Sequence, residues 1–264
     1  MTRRATTTRG RIPILEHPGR ERGLIEPSRF HSRAPRIPAR GVMSFFHDEI
    51  ERRAEAGRLT KLTELRGEGP PIPVYEVGGA ATPSFLCWAG LTAPLSAVVL
   101  EELVALGARS VLACGGAGAL DGSLPAGHLV LPTSAVRHEG TSYHYQPRGH
   151  ASRPHPTALG WLRDACSRSG LPWVEGATWT TDGVFRETPS MIRRRRKQGC
   201  LTVEMEAAAL FAVARFRKVV FGQILYAADD VSGAAWDERG WRSLRDVRSG
   251  MIDLCLDAVA GAAE

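Results

Sequence analysis

Leu201-Thr-Val-Glu-Met-Glu-Ala-Ala-Ala-Leu-Phe-Ala-Val-Ala-Arg-Phe216 changes character halfway along. Leu201–Val203 has the short apolar profile of a strand. From Ala207 to Phe216 the residues form a helix built to be buried, with Leu210, Phe211, Val213 and Ala214 supplying its apolar surface. A strand that runs straight into such a helix is half of an α/β unit, and the chain repeats the alternation. Apolar runs at Ile72–Val77, Ser84–Ala89, Ser110–Ala113, His128–Leu131, Trp173–Thr180 and Val219–Ala227 read as further strands. Helical patterns occupy Ser44–Ala56, Pro94–Leu106 before Gly107, Thr157–Ser169 before Gly170, and Trp241–Val259. With no repeat or low-complexity linker to divide it, the sequence predicts a single α/β domain with a central mixed β-sheet flanked by helices.

The ends and the charge bound the function. The net charge is +6, yet Arg3, Arg4, Arg9, Arg11 and the run Arg193–Lys197 more than account for it. The run lies between Thr188-Pro189 and Gly199, a helix start and a helix stop, so it reads as one solvated helix rather than a nucleic-acid patch. Residues 1–22 read as a basic, disordered N-terminal arm and 23–264 as the catalytic domain, with 12–41 wrapping the surface in extended form. No apolar stretch is long enough for a bilayer span and no signal-type apolar region follows the N-terminus. Cys87, Cys114, Cys166, Cys200 and Cys255 form no CxxC pair, as expected of free thiols in a reducing cytoplasm. His138, His144 and His150 have no paired helical spacing, so neither a metal nor a cofactor is implied.

Three segments carry chemistry. Ala113-Cys-Gly-Gly-Ala-Gly-Ala-Leu120 follows a buried strand and reads as a glycine-rich turn able to bring N–H groups of Gly116 and Gly118 against an anion. It fails as a dinucleotide fingerprint because no helix opens after it. In Glu204-Met205-Glu206 a spacing of two sends both carboxylates to one side of the strand end, where a carboxylate can accept bonds from two adjacent hydroxyls; attraction to the helix dipole is the plainer account of either one. Asp229-Asp230 closes an apolar run, at the strand end where ligands of α/β sheets gather, and adjacent carboxylates can hold one another protonated. An Asp capping the following turn is the competing reading.

In this order and spacing the segments resemble the nucleoside phosphorylase superfamily of purine nucleoside and uridine phosphorylases and related nucleosidases. VEMEAAAL at 203–210 is the most specific piece, supported by LPTSAVRHEGTSYHY at 131–145, TWTTDGVFRET at 178–188 and ILYAADD at 224–230. The resemblance implies that Glu206 binds the ribose hydroxyls, with Met205 packed on the sugar and Glu204 nearby. It sets Trp179 and Phe185 beside the base and makes Asp229 the acid that protonates a purine-type leaving group. VRHEGTSYHY looks closer to uridine phosphorylases. Ile25-Glu-Pro-Ser-Arg29 resembles the family's Gly-Asp-Pro-x-Arg segment and makes Arg29 a phosphate ligand alongside the turn at Gly116 and Gly118, while the usual arginine and Ser/Thr are replaced by Ala113 and Gly116. Arg137, Arg148 and Arg186 are the candidate substitutes.

What the resemblance implies is purine salvage by phosphorolysis, nucleoside plus inorganic phosphate giving base and pentose 1-phosphate, in a cytoplasmic trimer or hexamer. The alternatives are a nucleosidase using water and a non-catalytic nucleoside sensor.

Overall fold

The computed structural model describes residues 12–261 apart from 20, 32, 33 and 81, so the first half of the expected basic arm lies outside the described residues. The chain runs β1 (Arg40–Ser44), α1 (His47–Glu55), β2 (Leu59–Leu65), β3 (Ile72–Val77), β4 (Phe85–Trp88), α2 (Ala93–Leu106), β5 (Ser110–Ala119), β6 (Leu129–His138), α3 (Ser142–Tyr145), β7 (Ala151–Ser152), α4 (Pro156–Ser169), β8 (Trp173–Thr181), α5 (Pro189–Lys197), β9 (Cys200–Glu204), α6 (Ala207–Arg217), β10 (Val220–Asp230) and α7 (Arg245–Ala260).

The strands form one mixed sheet in the order β10-β6-β8-β9-β5-β1-β4-β3-β2, and β5 also pairs with β10. Five strands, β5, β10, β6, β8 and β9, therefore close on one another, and β1, β4, β3 and β2 extend outward from β5. Alternation along the central strands divides the core between two faces. Met43, Phe85, Val111 and Ala113 join Leu100, Leu103, Leu210 and Phe211 of α2 and α6. Val42, Leu86, Leu112 and Cys114 join Leu162, Met251 and Ile252 of α4 and α7.

The mixed α/β architecture agrees with the sequence, but one expectation is corrected. The glycine-rich stretch is not a turn: β5 continues through it to Ala119. Its residues 110–117 pair in parallel with β10, and Gly118 and Ala119 pair with Val203 and Thr202 of β9. Backbone hydrogen bonds to β10, and then to β9, outweigh the poor strand propensity of glycine. The sequence reading also missed β1 and β2; β1 offers few apolar residues behind a Pro- and Arg-rich approach. Residues 12–19 and 21–31 do stay largely on the surface, whereas Ile37 is buried and leads the chain into β1. No helix among the described residues is long and apolar enough to cross a membrane.

Candidate active site

A cavity of 620 Å³ opens where β1, β5, β8, β9 and β10 end, and Gly116, Gly118, Glu204, Met205, Glu206 and Asp229 all line it. Its floor is the start of α6. The first N–H groups of a helix lack intrahelical partners. Here Glu204 Oε2 accepts the N–H of Glu206 at 2.8 Å and of Ala207 at 2.6 Å. Thr180 Oγ1, from β8, accepts the N–H of Ala208 at 3.0 Å and donates to Glu204 Oε1 at 2.6 Å. Glu204 thereby accepts three hydrogen bonds from its own protein, two on Oε2 and one on Oε1, and acts as a brace.

Glu206 is held differently. Its Oε1 accepts the N–H of Thr92 at 2.7 Å and its Oε2 the N–H of Met205 at 3.2 Å, which leaves each oxygen a lone pair for a ligand hydroxyl. Thr92 reaches that position with φ of 69°, a left-handed backbone that a β-branched residue rarely adopts. Burial raises the pKa of Glu206, and the neighbouring Glu204 raises it further. Burial is also the main cause for Glu204, opposed by its hydrogen bonds.

Asp229 lines the same cavity from the end of β10. Between Ala227 and Asp230 the pairing of β10 with β5 slips by one residue, a bulge of the kind that re-aims a side chain beside a site. Asp229 Oδ2 accepts the indole N–H of Trp236 at 2.6 Å. Adjacent Asp230 is not its electrostatic partner: Asp230 is ion-paired with Arg239 and accepts the N–H of Ser232 at 2.7 Å, contacts that hold its carboxyl below the usual range despite partial burial. The carboxylate coupled to Asp229 is Glu187, which follows a short 3-10 turn at Val184–Arg186 and lines the same cavity. Burial, with the charge of Asp229 as a lesser cause, pushes Glu187 up to about 7. Sequence reasoning quoted Glu187 inside its motif without giving it a role, since only the fold brings it to Asp229.

Of the residues expected at an anion site, Gly116 and Gly118 line the cavity and Arg29 does not. A Cβ on Gly115 would lie 2.8 Å from the Phe45 ring, and one on Gly116 would lie 3.2 Å from the Tyr226 ring. Both rings occupy space a larger β5 side chain would take. Ala113 is fully buried in the core. Arg29 lies in an exposed 3-10 turn, Pro27–Arg29, that precedes β1, and it does not line the cavity. The turn that does enter the cavity after β1 is Phe45-Phe46-His47-Asp48. Of the candidate substitutes, Arg137 is buried and committed to Ser142 Oγ, Gln146 O and Pro147 O, while Arg148 and Arg186 are exposed. The arginine lining the cavity is Arg248 of α7, which is ion-paired with Asp48 and lies 5.0 Å from the centre of the Phe46 ring.

The two aromatic candidates sit apart from this geometry. Trp179 is fully buried among Leu120, Val136, Ile192 and Val203, and its Nε1 lies 3.2 Å from His138 Nδ1. Phe185 is 96% exposed, though its neighbour Val184 lines the cavity. In α5, Arg193, Arg194 and Arg196 are exposed as expected, but Arg195 is half-buried with its guanidinium 5.4 Å from the centre of the Trp179 ring.

Comparison with known proteins bears on the family and the fold. The chain is 27% identical over 216 residues to the guanosine phosphorylase of Halorubrum lacusprofundi, covering 78% of this chain and 90% of that one. It is 30% identical over 155 residues to the uridine phosphorylase of Treponema pallidum, covering 54% and 60%. The fold matches the purine nucleoside phosphorylase of Toxoplasma gondii with a TM-score of 0.71 at 21% identity, over 85% and 91% of the two chains. The family model of the phosphorylase superfamily matches residues 40–248, and the chain belongs to that superfamily.

Proposed function

We propose that this protein cleaves the N-glycosidic bond of a nucleoside, with a purine-type base preferred and phosphate as the attacking group. The observation that carries the reading is one cavity lined by a buried carboxylate with free lone pairs, Glu206, and by a second carboxylate, Asp229. As the C–N bond breaks, positive charge develops on the sugar and negative charge on the base. Glu206 accepts the ribose hydroxyls and Met205 packs on the sugar, while Asp229 faces the base, where a proton must arrive. The similarity to a guanosine phosphorylase supports a purine, and the similarity to a uridine phosphorylase keeps pyrimidines in the test.

A second reading replaces phosphate with water. It is favoured by the Tyr226 ring over Gly116 and by the pairing of Arg248 with Asp48, which leave the cavity poorly provided with free cations to hold a doubly charged anion. Purified protein incubated with a purine and pyrimidine nucleoside panel, with and without phosphate, separates the two. Release of base together with pentose 1-phosphate, only when phosphate is present, supports phosphorolysis. Equal release of base and free pentose without phosphate makes the protein a hydrolase.

A further inference from the structure

The carboxylates on the acid wall are distributed over two elements. Asp229 comes from the bulge in β10, and its Oδ2 is already committed to the Trp236 indole. Glu187 comes from the turn after β8, faces the same cavity, and has no hydrogen-bond or ion-pair partner for its side chain among the described residues. A half-buried carboxyl group that shares a cavity with another carboxylate, and has no ion-pair partner among the described residues, is arranged to keep a proton. The remaining charged groups around the cavity do not relieve it. Arg248 on α7 is tied to Asp48 on α1, His47 contacts Glu51, and Arg239 holds Asp230.

We propose that Glu187 is the catalytic residue that delivers a proton to the leaving base, with Asp229 beside it in the same cavity. The inference rests on the N-glycosidic reading and deepens it. When the C1′–N bond breaks, its electron pair leaves with the base, and a base nitrogen takes the proton from Glu187. The nucleophile, hydrogen phosphate or water, forms the new C1′–O bond, and the proton it sheds reloads Glu187 through solvent. The value of about 7 for Glu187 suits a donor working near neutral pH.

The test compares wild type, Glu187→Gln and Glu187→Asp on two substrates, a purine nucleoside that the wild type cleaves and p-nitrophenyl β-D-ribofuranoside, whose leaving group departs as a phenolate without needing a proton. For Glu187→Gln the expected result is a fall in kcat of about 10²-fold or more on the nucleoside. KM should change little and the alkaline limb of the wild-type pH profile should be lost, while turnover of the phenyl riboside is retained. Glu187→Asp, which keeps a proton but shortens its reach, should recover part of the nucleoside activity together with the limb. If Glu187→Gln keeps both kcat and the limb, or loses both substrates equally, the proposal is overturned. A wild type that releases base from no nucleoside overturns the underlying reading first, before any variant is compared.

Discussion

Glu204 Oε2 accepts the backbone N–H of Glu206 at 2.8 Å, so one buried glutamate fixes the backbone from which the other meets the cavity. The two should respond differently to the same change. Glu204→Gln leaves one acceptor oxygen where two are used, Oε2 by two helix-start N–H groups and Oε1 by the Thr180 hydroxyl, and is expected to lower folding stability by about 1–3 kcal/mol in denaturant titrations. Glu206→Gln keeps that brace and can keep the Thr92 bond, giving up only the longer one from Met205, so it should cost less stability than Glu204→Gln, while kcat/KM on the preferred nucleoside falls about 10²-fold or more.

Thr92 holds a strained backbone in order to aim its N–H at Glu206. Glycine takes that conformation without the clash, so Thr92→Gly is expected to raise stability by about 1 kcal/mol and leave kcat within about threefold. Thr92→Pro removes the N–H and should lose activity. Thermal unfolding alongside initial rates checks both.

Burial raises the pKa values of Glu204 and Glu206 above the ordinary carboxylate range, with Glu139 adding to the rise at Glu204 and Glu204 to that at Glu206, and Glu187 is raised to about 7. For such groups the folded state binds more protons than the unfolded state. Their contribution to stability is complete below the unfolded pKa and is lost as pH rises through the raised folded values. Urea midpoints should therefore fall from about pH 5 towards about pH 8, and Glu206→Gln should flatten the slope. A midpoint that climbs over that range would contradict the burial of these groups.

Trp179 belongs to the core around Leu120 and Val203, not to the cavity wall. Trp179→Phe is expected to cost about 1–3 kcal/mol in stability while leaving the KM ratio between purine and pyrimidine nucleosides unchanged. A changed base preference without loss of stability would return this residue to the base site.

The parts of the molecule legible in sequence are those that local pattern determines. Leu106 and Gly107 end α2 where the sequence stops being helical, and Gly107 takes φ of 127°. Glu204, Met205, Glu206 and Asp229 were readable because a strand end beside a buried helix is where α/β ligands gather, and the fold brings all four to one cavity. What local pattern could not supply was decided by pairing at a distance. The glycines at 115–118 look like a turn until β9 and β10 bond to them. Arg29 looks like an anion ligand until its segment proves to precede β1 and to lie outside the cavity. Glu187 and Arg248 acquire their meaning only from Asp229 and Asp48, which approach from distant parts of the chain.

The most direct measurement is free-base release from a purine nucleoside by wild type and by Glu206→Gln, at equal concentrations of folded protein, in the presence of phosphate and in its absence. The account predicts release by wild type in at least one condition and a loss of about 10²-fold or more in the variant. Equal release by both proteins, or none by wild type in either condition across the nucleoside panel, would contradict it.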